Sequence, residues 1–248
     1  MTVAISDQPR VSVVVPTFNE KENIQEFKRR LEPTLESMKG RMTVLFVDDN
    51  SPDGTGAEIK NLMESTPAFR LLEREGKKGL GTAYIEGFGQ VIASDHPDVV
   101  VQMDADLQHP PEILESLVAM VASGAADVAI ASRHVKGGSF KAMNWRRRTI
   151  SKGASWFSRT VLGLKVKDTT TGFKALRRSA VESLLAHPPR STGFIFQVES
   201  LYVLKKNGFK IVEVPFTFEE RAKGASKMGS GEMWEFFVGV LSIRFRKY

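Results

Sequence analysis

The chain has 248 residues, 42% hydrophobic and 26% charged, which suits one large globular domain or one domain with a tail. It has no cysteine, which excludes disulfides, thiolate metal sites and a cysteine nucleophile, and fits a reducing compartment. The net charge of +6 asks for an anionic partner: nucleic acid, a membrane surface or a phosphorylated substrate.

The N-terminal MTVAISDQPR lacks the apolar centre of a signal peptide, so no cleaved leader is expected. Val11–Pro16 is a continuous apolar run, expected as a buried parallel strand. Helical periodicity follows over Ile24–Met38, then a second buried strand at Val44–Val47. A helix is expected over Gly54–Met63 with Asp53 as its cap, a short strand at Phe69–Leu72 and a helix over Leu80–Ile92. The strand Val99–Val101, a helix Pro111–Val121 opened by two prolines, and the strand Asp127–Ala131 complete this half. Strands alternating with helices predict an α/β fold with a doubly wound, mostly parallel sheet. The second half reads differently: helices over Arg146–Leu162, Ser179–Leu185 and Phe196–Lys206, a strand Lys210–Val214, a loop Glu219–Gly229 and a closing helix Gly231–Phe245. One unit over residues 1–230 with an amphipathic helix over 231–248 is the expected organisation.

The chemistry gathers where strands end. The first strand closes on PTFNE, the second on VDDNSPDGT and the fourth on MDADLQHP. In open α/β sheets ligands bind at the carboxyl ends of the strands. Asp104 and Asp106 alternate there, so both carboxylates can face one cation. Mg²⁺ or Mn²⁺ takes hard oxygen ligands, typically one or two carboxylates with substrate phosphates. Asp53 is expected to serve the turn, and Asp49 to accept hydroxyl donors of a nucleotide. Gly79–Gly81 begins a GxG pattern, but Tyr84 stands where the dinucleotide fingerprint needs glycine, and no Walker A motif occurs. His96, His109, His134 and His187 show no metalloprotease spacing. His109 is expected near the metal without acting as a base. Ser132 and His134 lack an elbow motif, so no Ser/His/Asp arrangement is expected.

Positive charge crowds between Arg133 and Arg178, where Asp168 is the one acid. Two segments have the composition of interfacial helices. One is basic Arg146–Leu164, with Trp156, Phe157, Val161, Leu162 and Leu164. The other carries Trp234, Phe237, Val238, Leu241 and Phe245, ahead of Arg246 and Lys247. Packing on the core is the ordinary alternative for both stripes. No stretch approaches the roughly 18–20 apolar residues of a membrane span.

PTFNE, VDDNSPDGT, GLGTAYIEGF, MDADLQHP, ASRHVKGG, WRRRTISKGAS, TTGFKALRR, FIFQVES and ERAKGASKM occur in this order over about residues 11–230. Together they resemble the polyprenyl-phosphate (dolichol-phosphate) mannosyltransferases of glycosyltransferase family 2. That resemblance implies a GT-A fold and inverting transfer of mannose from GDP-mannose to polyprenyl phosphate. It implies donor contacts from Pro16, Phe18, Glu20, Val47, Asp49, Asp104, Ala105, Asp106, Arg133, Arg221 and Lys227. The metal would sit on Asp104, Asp106 and Gln108, and the acceptor phosphate on Arg133, Arg147 and Ser151, with Asp106, Arg133 and Arg147 carrying the catalysis. Phe18 departs from the family's usual tyrosine: its ring can stack on a base, but the hydroxyl contact is lost. Arg221 and Lys227 would close over the donor as a lid. The implied setting is the cytoplasmic face of a membrane, where the protein sits peripherally, with or without a membrane-anchoring subunit. Three rival readings exist. A UDP-glucose-dependent transferase shares the fold. A non-catalytic nucleotide-sugar-binding subunit conflicts with the intact acid and basic positions. A nucleic-acid-binding protein leaves the acid-rich sheet edge unexplained.

Overall fold

The computed structural model describes residues 8–141, 145–218 and 230–247, without the side chains of residues 146, 147 and 230–232. The strands are β1 (Val11–Thr17), β2 (Met42–Asp48), β3 (Phe69–Glu73), β4 (Val99–Gln102), β5 (Val128–Ser132), β6 (Ser139–Phe140), β7 (Lys174–Arg177), β8 (Ile211–Pro215) and β9 (Thr217–Phe218). The helices are α1 (Lys21–Ser37), α2 (Thr55–Ser65), α3 (Leu80–Ser94), α4 (Leu114–Ala122), α5 (Trp145–Leu162), α6 (Arg178–Ala186), α7 (Ile195–Lys206) and α8 (Ser230–Phe245).

Seven strands form one sheet in the order β3-β2-β1-β4-β7-β5-β8, and β6 pairs with β9 in a small parallel ribbon. The expected mostly parallel sheet is present. Its two faces divide the core by alternation along each strand. Val11, Val13 and Val15 of β1 pack with α1, α2 and α4, while Val14 packs with α3, α6 and α7. Gly87 lets α3 lie close on that second face, since a Cβ there would stand 2.6 Å from Val14 Cγ1.

β7 escapes the sequence reading. Lys174–Arg177 has a lysine and an arginine at its ends and no apolar run. It nevertheless fills the sheet between β4 and β5, antiparallel to both. Two smaller boundaries also differ. The segment after Pro110 opens as a 3-10 turn, Pro111–Ile113, before α4 begins. The cap position of α2 is Gly54, with φ 88°, whereas Asp53 Oδ1 accepts from the Thr55 N–H at 2.9 Å and from the Thr55 hydroxyl at 2.6 Å.

α8 packs against α5 and α7. Val240 and Ile243 are wholly buried, and Phe237 meets Phe157 edge-on with centroids 4.8 Å apart. Near its end Arg246 Nη1 donates to the buried Glu199 Oε1 at 2.7 Å. The opposite face leaves Trp234, Val238, Leu241 and Phe245 exposed. On α5 the expected outward stripe is corrected: Leu162 and the following Leu164 are buried, and Phe157 and Val161 pack on the core. Trp156 faces out, as do Trp145 and Ile150. A helix long and apolar enough to cross a membrane does not occur among the described residues.

Candidate active site

The ends of β1 and β2 are sewn together by Asp48. The Thr17 hydroxyl donates to its Oδ1 at 2.9 Å, and Ser51 donates from backbone N–H at 2.8 Å and from its hydroxyl at 2.6 Å. Asp49 is buried and paired with Arg74, whose Nη1 lies 2.5 Å from Oδ1. Arg74 is held in turn by Thr82 at 2.7 Å and Glu86 at 3.0 Å. A carboxylate fixed this way is held in position for a ligand without rotamer loss on binding. Asn19 (φ 59°) and Asn50 (φ 57°) take left-handed turns at the two strand ends, a conformation asparagine tolerates. Around this edge Pro16, Phe18 and Glu20 are half-buried and Val47 is buried. Lys77 Nζ sits 4.1 Å from the Phe18 ring centroid. Glu20 accepts from the Asn23 amide at 2.6 Å.

The acid pair follows β4. Asp104 is partly open to solvent, and its Oδ1 accepts from the Tyr84 hydroxyl at 3.0 Å. Burial and the adjacent Asp104 charge push the Tyr84 phenol well up, so it remains a donor. The Asp104 N–H donates to His109 Nδ1 at 2.9 Å, which places the imidazole proton on Nε2. Burial lowers His109 to about 4, and its ring stacks on Phe173 at 5.2 Å. The expectation that His109 lies beside the acids without serving as a base agrees with this geometry. Asp106 Oδ1 accepts from the Gln108 N–H at 3.1 Å, closing a tight turn in which buried Leu107 has φ 64°. A bulky residue in that region is strained and marks a position over-determined by its surroundings. Ala105 and Gln108 are buried in the same turn.

Lys174 lies wholly buried on β7, and the sequence reading did not single it out. Its Nζ donates to the Gln197 side-chain oxygen at 2.7 Å, the Gln197 carbonyl at 3.2 Å and Ser200 Oγ at 3.1 Å. Gln102 Nε2 donates to the same Gln197 oxygen at 2.5 Å. These neutral acceptors hold the lysine, and burial lowers its pKa to about 7.

Across the sheet, Arg133 at the end of β5 meets Asp168. Nε donates to Oδ2 at 2.7 Å and Nη2 to Oδ1 at 2.6 Å, and the Arg133 N–H adds a 2.9 Å bond to Oδ2. Nη2 also reaches Thr170 at 2.9 Å. The guanidinium lies against Phe140 and Phe218, 5.5 and 5.1 Å from their centroids. Arg133 is therefore a built-in part of the wall. Ser151, half-buried on α5, stands beside His134. Ser151 and Asp168 stand 17 and 34 residues from His134 along the chain, so no sequence window brings the three together. Arg147 falls in α5, but its side chain is outside the described residues, and so are Arg221 and Lys227.

One aromatic seam joins the acid loop to the Arg133 wall. His109 stacks on Phe173 and meets Phe216 and Phe218 at 6.5 and 6.4 Å, and Phe218 meets Phe140 at 6.2 Å. Whether a cation fits the acid pair can be judged from Gly172. A Cβ there would come within 3.2 Å of Asp104 Oδ2 and 3.1 Å of His109 Cε1, so the absent side chain keeps the carboxylate's surroundings open. No cluster of three or more His, Asp or Glu suited to a metal occurs among the described residues. Two carboxylates and the Gln108 amide are a donor set that fits Mg²⁺ or Mn²⁺ completed by nucleotide phosphates.

The glycosyl transferase family 2 model matches residues 12–185. The chain is 40% identical to a polyprenol monophosphomannose synthase of Mycolicibacterium smegmatis, over 96% of this chain and 88% of the relative. It is 40% identical to a dolichol-phosphate mannosyltransferase of Pyrococcus furiosus, over 94% of this chain and 63% of that one. An undecaprenyl-phosphate mannosyltransferase of Micrococcus luteus is 40% identical over 93% and 92%. Among solved structures, glucosyl-3-phosphoglycerate synthase of Mycobacterium tuberculosis superposes with TM-score 0.70 at 19% identity, over 96% of this chain and 81% of that one. A mannosyltransferase of Pyrobaculum calidifontis, solved with GDP-Man and Mn²⁺, gives 0.61 at 19%, over 88% and 59%. These two structures speak for the fold alone. From strand-end acids, basic wall and matched relatives together, the chain belongs to glycosyl transferase family 2, among the polyprenyl-phosphate mannosyltransferases.

Proposed function

We propose that the chain transfers mannose from GDP-mannose to a polyprenyl phosphate, with inversion, giving polyprenyl β-mannosyl phosphate and GDP. The observation that carries this reading is the aromatic seam, which fixes an acid-pair loop and an arginine wall at one sheet edge. The names of the relatives, at 40% identity, support the sugar and the lipid class.

A phosphate monoester has a second pKa near ~6, so the acceptor is largely dianionic at neutral pH and needs no strong base. His109, buried and neutral with its Nδ1 engaged, is not built to be one. An acceptor phosphate oxygen attacks the anomeric carbon, and the bond from that carbon to the diphosphate oxygen breaks. The electron pair leaves with GDP, and the α-linked sugar becomes β-linked. Mg²⁺ or Mn²⁺, held by Asp104, Asp106 and Gln108, would supply charge neutralisation of the diphosphate. Asp49, set by Arg74, binds nucleoside hydroxyls, and Phe18 offers its ring to the base. Pro16, Glu20, Val47 and Ala105 shape the donor cleft, while Arg221 and Lys227 close it. Arg133, Arg147 and Ser151 receive the acceptor phosphate, and bidentate guanidinium contacts offset repulsion between two anionic substrates. The exposed Trp145, Trp156, Trp234 and Phe245, with Arg148, Lys152, Arg244 and Lys247, support a reading in which α5 and α8 meet the anionic cytoplasmic face of a membrane.

Radiolabel transfer tests the reading. With Mg²⁺ present, GDP-mannose and a short polyprenyl phosphate yield labelled lipid, and UDP-glucose yields none. Preference for UDP-glucose overturns the donor. Absence of transfer from every nucleotide sugar overturns catalysis.

A further inference from the structure

His134 follows Arg133 at the end of β5. Its side chain is 7% exposed, and its Nε2 lies 3.4 Å from Ser151 Oγ and 4.0 Å from Asp168 Oδ1. Its Nδ1 is buried without a hydrogen-bond partner among the described residues. The ring packs on Phe140 at 5.5 Å. Burial lowers its pKa against the pull of Asp168, and Arg133 and Lys152 add to the lowering, so the ring is neutral.

A neutral imidazole has one N–H and one lone pair. In the Nδ1–H form, a buried donor is orphaned and the Nε2 lone pair faces the Asp168 carboxylate. Ser151 must then spend its own hydrogen on Nε2. In the Nε2–H form, the orphan is a lone pair, which proteins tolerate better than an orphan N–H. The N–H then points to the side of the carboxylate and donates to Ser151 Oγ. The Ser151 hydrogen is left to rotate toward another acceptor.

We propose that His134 is a positioning residue of the acceptor site: as the Nε2–H tautomer it donates to Ser151 Oγ and leaves the serine hydroxyl hydrogen for the acceptor phosphate. The inference rests on the reading of Ser151 as a ligand of that phosphate. His134 itself need not touch substrate.

The full chain is tested by kinetics and by long-range ¹H–¹⁵N correlation of its histidines, with the His134 signals assigned by their loss in His134→Gln. The Nε2–H pattern is expected for His134. A dominant Nδ1–H pattern overturns the proposal. Ser151→Ala should raise the acceptor KM by about tenfold, the order of one hydrogen bond to a charged group. His134→Asn should raise it severalfold with donor KM unchanged, while His134→Gln, whose amide N–H reaches as far as Nε2, should restore it to within about twofold, a loss under one weak hydrogen bond. In the Ser151→Ala background, His134→Asn should add nothing. If Ser151→Ala leaves the acceptor KM unchanged, the phosphate assignment fails and takes the proposal with it. If Ser151→Ala acts but His134→Asn does not, the assignment stands and the role of His134 is overturned. Equal impairment by Asn and Gln also overturns it.

Discussion

Where β1, β2 and β4 end, the acids stand at the last strand residue or in the turn that directly follows, and each is seated by that turn or by a neighbouring element. Asp48 is held by Thr17 and Ser51, Asp104 by Tyr84 and His109, and Asp106 by the Gln108 N–H. On the far side of β4, the wall is assembled from segments distant in the chain. Arg133 reaches Asp168, the Asp168 N–H donates to Glu213 Oε1 at 3.0 Å, and the seam draws on Phe140, Phe173, Phe216 and Phe218. The two sides suit the partners proposed for them. A soluble nucleotide meets acids carried on short strand-end loops. A lipid phosphate meets a wall built from long-range contacts, next to helices with exposed tryptophans.

The sharpest way to break this contrast is Asp106→Ala. Loss of the acid should lower transfer by about a thousandfold, or ~4 kcal/mol, a far larger effect on rate than on the melting temperature. EDTA should have the same effect on the intact protein and Mg²⁺ or Mn²⁺ should reverse it. Full activity of either preparation would remove the metal role.

The opposite signature is expected at Asp168. Asp168→Ala strands the guanidinium of Arg133 in a wall where its side chain is 9% exposed. Removing one partner of a buried pair typically costs about 3–5 kcal/mol, to be read from urea unfolding. Donor binding, measured by calorimetry with GDP-mannose and metal, should survive below the unfolding transition. Loss of stability together with loss of donor affinity would show that the two sides are not independent.

This division also explains what the sequence revealed. The apolar runs of β1, β2 and β4 and the acids after them are contiguous, so strand, turn and ligand chemistry are read in one window. Asp168 looked like a lone acid in a basic block because its partner stands 35 residues away. Arg74 is hidden in the sequence for the same reason: it lies 25 residues from Asp49. β7 was missed because four residues bounded by Lys174 and Arg177 have no apolar run, and only its neighbours β4 and β5 make it a strand. In α5 and α8, composition identified the aromatic stripes but not which residues turn inward. That depends on the meeting of Phe157 with Phe237 and on Arg246 reaching Glu199.

Lys174 sits between the two sides and offers a pH test. Its folded pKa is lowered to about 7 from 10.5. Between these values the unfolded chain carries a proton that the folded chain does not, so stability rises with pH across that window. Lys174→Met abolishes this contribution. The stability of wild type relative to the variant, measured by urea unfolding, should therefore increase from pH 7 toward pH 10. A flat difference would mean that the lysine stays charged when buried.

The smallest effect is expected on the outer face of the acceptor side. Trp156 and Trp234 are 66% and 71% exposed, so replacing both with serine removes almost no packing. Unfolding should change by less than about 0.5 kcal/mol, the usual range for surface positions. Flotation with anionic vesicles should nevertheless fall, because amphipathic indoles favour the headgroup region and both rings stand exposed. The intact protein should bind less at high salt, which screens the attraction of Arg148, Lys152, Arg244 and Lys247. The double variant should keep that salt dependence at a lower level of binding, separating the apolar from the electrostatic share. If vesicle binding is unchanged while transfer to a short, water-soluble acceptor is impaired, the tryptophans belong to the site itself, and the membrane face must be sought elsewhere on the protein.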